Sequence, residues 1–228
     1  MSNCSLPKHL AVFAKYWEPG EVKTRLASTI GPKPASLIHQ ALVQNILSRL
    51  SGFSGRKSIV IWPPERVVAF ESDSPDGWES ARQAPGDLGK KLSEFFRSQF
   101  AEYRQRVVVI GADSPDLPIN FITEAFELLR DRQVVIGPAV DGGYYLIGMN
   151  EFTPIFDEVD WGTPQVLAQT VKHLERLNAR FALLGIWPDV DRWDDLLKLQ
   201  VRLSESKSDP AAVELLHRIQ EILATVRQ

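Results

Sequence analysis

Four short stretches of this 228-residue chain concentrate the side chains that can do chemistry. The first, Lys15-Tyr-Trp-Glu-Pro-Gly-Glu-Val-Lys-Thr-Arg25, holds the cations Lys15, Lys23 and Arg25. Gly20 lets the backbone turn sharply, and an arginine fork takes two phosphate oxygens at once. The stretch suits a polyphosphate, with a solvated charged loop as the alternative. Its spacing is neither G-x-G-x-x-G nor G-x-x-x-x-G-K-[ST], so it is not a dinucleotide fingerprint or a P-loop.

The second stretch is Gly111-Ala-Asp-Ser-Pro-Asp-Leu-Pro118. Asp113 stands where a strand should end, a place from which a carboxylate can hold Mg²⁺ or Mn²⁺ against a diphosphate. Asp116 either joins it or caps the following helix. The third is Gly137-Pro-Ala-Val-Asp-Gly-Gly-Tyr-Tyr145. Asp141 can act as a base or orient an acceptor hydroxyl, and Gly142 and Gly143 permit close approach to a ligand. The competing reading is a plain hairpin turn, because Asp-Gly is a common tight-turn pair. The fourth is Asp189-Val-Asp-Arg-Trp-Asp-Asp195, in which five of seven residues are Asp or Arg. Capping one helix does not need that density. Asp189 or Asp191 can complete a metal site with Asp113.

These stretches must be positioned by regular elements. Short β-branched runs alternate with longer helical patterns, the mark of βαβ units and a largely parallel sheet. Strands are predicted at 10–14, 58–62, 106–110, 133–137, 144–148 and 181–186. Helices are predicted from Pro32 or Pro34 to about Leu50, and over 88–103, 118–130, 164–177, 192–203 and 210–226. The run Arg106-Val-Val-Val-Ile110 reads as a central strand covered on both faces. The short link through Asp141-Gly-Gly143 predicts a hairpin, so at least one strand should run antiparallel. The stretch 71–86 is polar and rich in turn formers, and is expected at the surface. No linker divides the chain, so one α/β domain over residues 1–228 is expected.

Composition narrows the function class. Twenty-six Lys and Arg against 29 Asp and Glu give a net charge of −3. A basic footprint of the kind nucleic-acid binders carry is absent, so no nucleic-acid partner is expected. Cys4 is the only cysteine, which leaves no intrachain disulfide, and the first residues do not read as a signal peptide. No apolar run reaches eighteen residues. A cytoplasmic protein without a membrane partner is expected. The histidines, His9, His39, His173 and His217, show no metal-ligand spacing, so any metal should be a hard ion held by carboxylates.

Taken together, the motifs resemble the DUF2064 group, also described as the radical-SAM/selenodomain-associated transferase 1 family. The resemblance runs from about Leu10 to Leu196. It is carried by Phe13-Ala-Lys with Pro19-Gly20 and Val22-Lys-Thr-Arg-Leu26, by Gly86-Asp-Leu-Gly89, and by Ile110-Gly-Ala-Asp-Ser-Pro-Asp-Leu117. It continues through Gly137-Pro-Ala, Asp141-Gly-Gly-Tyr-Tyr-Leu146, Trp161-Gly-Thr163 and Asp189-Val-Asp191. Two positions depart from the family pattern. Trp17 stands where proline is common, and Arg192-Trp-Asp-Asp-Leu196 lacks a Thr-Pro found in several nucleotidyltransferases.

The resemblance implies the GT-A fold of the nucleotide-diphospho-sugar transferase superfamily, a three-layer α/β/α domain with a mixed, mostly parallel sheet. It implies that Lys15, Gly20, Lys23 and Arg25 embrace the nucleotide and phosphates of a donor, with Asp87 and Gly89 in a second donor or acceptor loop. Asp113 matches the superfamily's metal-binding acid, Asp191 a second one, and Asp189 is its neighbour. Asp113 and Asp141 are the expected catalytic acids. Gly142, Gly143, Tyr144 and Trp161 are expected to face a small-molecule acceptor. The implied activity is metal-dependent transfer from a nucleotide or nucleotide-sugar donor, with Mg²⁺ or Mn²⁺. Nucleotidyl transfer that releases pyrophosphate, or nucleotide binding without catalysis, are the alternatives. The geometric expectation is that Asp113 and at least one of Asp189 and Asp191 meet in one cleft.

Overall fold

The structure is a computed structural model and describes residues 6–71 and 75–226. Cys4, on which the redox expectation rests, lies outside the described residues. In chain order the elements are β1 (Lys8–Lys15), α1 (Thr24–Ile30), α2 (Pro32–Arg49), β2 (Arg56–Trp62), α3 (Val67–Glu71) and β3 (Glu79–Arg82). They continue with α4 (Leu88–Phe100), β4 (Arg106–Gly111), α5 (Ile119–Leu128), β5 (Val134–Pro138) and β6 (Tyr144–Met149). The last are α6 (Val166–Arg176), β7 (Phe181–Leu183), α7 (Trp193–Glu205) and α8 (Pro210–Val226).

The strands form one sheet in the order β3-β2-β1-β4-β6-β5-β7. Neighbours pair in parallel except β6, which runs antiparallel to both β4 and β5. The expected hairpin is therefore the β5–β6 connection. Residues 107–110 of β4 are fully enclosed, as its uninterrupted apolar run predicts.

Side-chain alternation divides the core into two layers. Leu10, Val12 and Ala14 of β1 pack with Val43, Ile46 and Leu47 of α2 and with Ile122 and Phe126 of α5. Ala11 and Phe13 point the other way, onto Leu92 and Phe96 of α4 and Leu174 of α6. The result is the expected three-layer α/β/α architecture. A further apolar cluster joins α1 and α2 to α7 and α8 through Leu26, Ile38, Leu199 and Ile219. No helix among the described residues is long and apolar enough to cross a membrane.

One element is added to those expected and one local expectation is corrected. The added element is the short helix α1, docked through the buried apolar residues Leu26 and Ile30. The polar stretch 71–86 is not all surface loop. Within it β3 extends the sheet beside β2, and Trp78 is buried. The pattern was hidden because β3 is only four residues long and half exposed, with one charged residue at each end.

Candidate functional site

In an open α/β sheet, ligands gather at the carboxyl ends of strands where the strand order reverses. Here that point lies between β1 and β4, whose outward neighbours are β2 and β6. The loop after β1, the loop after β4 and the start of α4 converge there. The β5–β6 hairpin and the link from β7 to α7 close the other side. The cleft has two lobes. The first is a cavity of about 610 Å³ whose walls include Lys15, Lys23, His39, Gln83, Lys91 and Asp113. The second, about 530 Å³, is walled by Arg25, Asp141, Tyr144, Trp161 and Asp189, and it shares Asp113 and Tyr144 with the first.

The loop after β1 is held by its own aromatics. Tyr16 donates its N–H to the carbonyl of Trp62 at 2.7 Å and stacks on Trp17. Trp17 leans on Phe70, and this contact anchors the loop to the core. Arg66 reaches Glu18 at 2.5 Å and lies over the Tyr16 ring. Gly20 forms the exposed tip at φ 90°, with open space where a Cβ would be. The loop ends at Lys23, which takes the left-handed conformation (φ 49°) at the start of α1.

That backbone turn aims Lys23 inward. Its ammonium donates to Asp113 Oδ1 at 2.5 Å and to the carbonyl of Val190. The Lys23 side chain is only 4% exposed, whereas that of Asp113 is 53% exposed to the cleft although protein surrounds it. Burial pushes the Asp113 carboxyl up, and the basic groups around it, Lys23 foremost, more than reverse this, leaving it below the ordinary carboxylate value. Lys23, expected to contact donor phosphates, thus commits two of its ammonium hydrogens to Asp113 and Val190. Val190 also donates its N–H to the carbonyl of Asp113 at 2.8 Å, which fixes residues 189–191 beside the β4 loop.

Asp113, Asp189 and Asp191 consequently border one cleft, and they carry their charges differently. Asp191 receives Arg25 Nη1 at 2.7 Å. Burial, then Asp141 and Asp113, push the Asp189 carboxyl up. The helix α7 is capped by neither Asp189 nor Asp191 but by Asp195, which accepts the Arg192 N–H at 2.9 Å. Asp116 is no helix cap either. It pairs with Arg202 at 2.5 Å and accepts the Trp187 indole N–H at 3.3 Å, which ties the β4 loop to α7.

At the hairpin, Asp141 Oδ1 accepts the Gly143 N–H at 2.9 Å, so the tight-turn reading holds as local structure. Gly142 has φ 90°, and a Cβ there would stand 2.3 Å from the carbonyl oxygen of Pro164. Its glycine is therefore needed for backbone packing. Asp141, Gly143 and Tyr144 remain on the cleft wall. Burial raises the Tyr144 phenol, which stays protonated at physiological pH. Trp161 closes the second lobe edge-on against Tyr144. Gly89 does not reach the cavity wall. A Cβ at Gly89 would sit 2.3 Å from Trp161 Nε1, so this glycine makes room for the indole. Asp87 does line the first lobe, and it caps α4 by accepting the Lys90 N–H at 2.8 Å.

Three wall residues escaped the sequence reading. Lys91 lies one turn into α4 with its ammonium 3.9 Å from the centre of the Trp62 ring. Burial and Lys15 lower its pKa. The helical phase that buries Leu92 could have placed it. His39 comes from α2, and its Nε2 lies 3.0 Å from the Lys15 carbonyl, so Nε2 carries the proton. Burial, then Lys23, lowers its pKa to about 4, so it is neutral at physiological pH. Gln83 follows β3. Neither His39 nor Gln83 had any local sequence signal.

The fit to a divalent ion can be tested on these contacts. Among the described residues, no three His, Cys, Asp or Glu side chains are grouped closely enough to cage an ion alone. Lys23 takes only Oδ1 of Asp113, and Asp189 sits among other carboxylates. One or two hard oxygen ligands completed by phosphate and water are the usual surroundings of Mg²⁺. The residues fit an ion that arrives with a phosphate ligand.

Comparisons with known proteins agree with this architecture. The family model described as an uncharacterized protein conserved in bacteria (DUF2064) matches residues 47–163. A protein from Desulfovibrio desulfuricans G20, provisionally named a nucleotide-diphospho-sugar transferase, superposes with a TM-score of 0.83 at 30% identity. That match covers 96% of this chain and 97% of the other. The 4-diphosphocytidyl-2C-methyl-D-erythritol synthase of Anaerococcus prevotii DSM 20548 shares the fold, with a TM-score of 0.57, 10% identity and coverage of 88% and 99%. So does a CMP:2-keto-3-deoxy-manno-octonic acid synthetase complexed with CTP, with a TM-score of 0.56, 11% identity and coverage of 87% and 99%. No curated protein sequence matches the chain.

Proposed function

The chain belongs to the DUF2064 family, and from that premise we propose that it is a transferase that takes a nucleoside-phosphate or nucleotide-sugar donor in the first lobe and a small acceptor in the second. One observation carries this reading. Lys15, Lys23 and Lys91 border the same cavity, which opens at Asp113 into a lobe bordered by Asp141 and Asp189. Clustered cations beside hard carboxylates are the charge pattern that a metal-bound polyphosphate requires. The Desulfovibrio protein's name supports the same class.

In this reading, Lys15, Lys23 and Lys91 hold the donor phosphates from one side and Arg25 reaches them from the other. Their charges stabilise the negative charge that grows on the leaving phosphate. The α4 N-terminus, capped by Asp87, adds its dipole at the same wall. Asp113 and Asp189 would hold Mg²⁺ or Mn²⁺, which when bound supplies further charge stabilisation on phosphate oxygens. Asp141 takes the proton from the acceptor hydroxyl, and Trp161 with Tyr144 shapes the acceptor lobe.

Two bond changes fit this arrangement. In sugar transfer the donor C1–O bond breaks, the acceptor oxygen bonds to C1, and a nucleoside diphosphate leaves. In nucleotidyl transfer the α–β phosphoanhydride breaks, the acceptor oxygen bonds to the α-phosphorus, and pyrophosphate leaves. The open acceptor lobe next to the phosphate cations suits the first. The three lysines favour the second through their match to a triphosphate.

Thermal denaturation with a panel of nucleotides and nucleotide sugars, each with and without Mn²⁺, tests the proposal. A donor should raise the melting temperature more with metal than without it. Product analysis with that donor then separates nucleoside diphosphate from pyrophosphate. A panel in which no nucleotide shifts the transition overturns the reading.

A further inference from the structure

Asp113 and Asp189 stand on different loops, and bonds made by their neighbours align the two stretches. Ser114 Oγ donates to the Pro188 carbonyl at 3.0 Å, and the Val190 N–H donates to the Asp113 carbonyl at 2.8 Å. These two bonds bracket Asp189 along the β4 loop. Asp116 adds a third link from outside the cleft, since neither it nor Arg202 lines either lobe. Its Oδ2 accepts Arg202 Nε at 2.5 Å, and its Oδ1 accepts Arg202 Nη2 at 3.4 Å and the Trp187 indole N–H at 3.3 Å. The Asp116 side chain is only 12% exposed, so salt in the solvent screens this pair little. Arg49 of α2 holds the same loop through the carbonyls of Pro115 at 2.6 Å and Leu117 at 3.0 Å.

We infer that Asp116 and Arg202 are positioning residues that set the spacing of the Asp113 and Asp189 carboxylates for a divalent ion on the donor phosphates. The inference rests on the metal-dependent reading above. A guanidinium gripped at two points fixes orientation as well as distance. Through it, one carboxylate keeps three parts in register. They are the β4 loop that carries Asp113, Trp187 close to Asp189 in the chain, and α7 just beyond Asp191. Mg²⁺ demands near-ideal octahedral geometry, so acids on two loops serve it only while the loops keep their spacing. Residues behind metal ligands commonly change metal affinity by about 10–100-fold without touching the ion. A pair that served the fold alone would alter melting and leave the metal dependence of binding as it was.

The test is calorimetric titration of the full chain with ADP, CDP, GDP and UDP, each with and without Mn²⁺. Their diphosphate is common to both donor classes. The best of them should bind the unaltered protein about tenfold or more tighter with Mn²⁺ than without it. The double variant Asp116→Asn/Arg202→Met keeps an acceptor for the Trp187 indole and leaves no unpaired charge. It should lose about tenfold of the metal-dependent gain, while metal-free affinity stays within about twofold. Arg202→Lys keeps the charge without the fork, and should lose about threefold of the gain with little change in melting temperature. If the double variant does not fold, this single variant decides. A full metal-dependent gain in either folded variant overturns the inference and leaves the nucleotide reading standing. So does an equal fall with and without metal. No metal-dependent gain in the unaltered protein overturns the inference together with the metal assignment. Failure of all four diphosphates to bind overturns the nucleotide reading as well.

Discussion

The two lobes of the cleft share Asp113 but balance their charges in opposite ways. In the first, an acid is answered inside the protein, because the Lys23 ammonium lies against Asp113 and burial keeps His39 neutral. In the second, Asp189 stands among Asp141 and Asp113, and its carboxyl is pushed up as a result. Glycine use differs in the same sense. Gly20, at the tip of the first lobe's loop, has open space around it, while Gly142 is pressed against the Pro164 backbone. The first lobe pairs its acid with a lysine and has an adaptable rim. The second is rigidly packed and electrostatically unsettled, which is the state a bound cation would relieve.

The largest expected effect comes from filling the packed side. Gly142→Ala combines a positive φ with a backbone clash, and it should cost about 3–4 kcal/mol, read as a loss of urea midpoint. A near-neutral result would show that the second lobe is not rigid.

Acid should separate the lobes next. The folded pKa of His39 is about 4, below its ordinary 6.5, so the unfolded chain binds the proton first. Its contribution is full above pH 6.5 and is lost as pH falls toward 4, about 3 kcal/mol at most for this residue. His9 shifts the same way for the same reason, burial. Asp189 has the opposite sign. Its raised carboxyl takes up its proton more readily in the folded chain, so acid relieves the second lobe. Chemical denaturation from pH 7 to pH 4 should show falling stability, and His39→Gln should flatten the slope. An unchanged slope in that variant would remove the buried neutral histidine from the account.

Binding variants follow. Arg25→Ala should weaken a phosphate donor about tenfold, the scale of one charge-assisted contact, with an unchanged melting temperature because the Asp191 pair is exposed. Equal donor affinity would leave Arg25 as a partner of Asp191 alone. Asp113→Asn should lower Mn²⁺-dependent donor binding by about tenfold or more, while donor binding without metal falls less. If both fall equally, Asp113 acts only by holding Lys23. The smallest effect belongs to the open rim. Gly20→Ala should cost only about 1 kcal/mol, the strain of a positive φ without a clash.

The sequence by itself determined the layer architecture, because apolar periodicity is local and physical. The continuous run of β4, the i+4 stripe of α2 and the Asp-Gly-Gly link at the hairpin each state their element within a few residues. It also brought Asp113, Asp141, Asp189 and Asp191 forward, since carboxylates at expected strand ends stand out by type and position. Only the tertiary structure decided how those charges are answered. That Lys23 turns inward onto Asp113 depends on a left-handed backbone at the start of α1 and on Val190, 167 residues away, presenting its carbonyl. That Asp116 serves Arg202 rather than capping α5 depends on where α7 packs. Gln83 and His39 entered the cleft unannounced, because a polar side chain's partner is set by which backbone carbonyls the folded sheet leaves within reach, and no spacing along the chain encodes that.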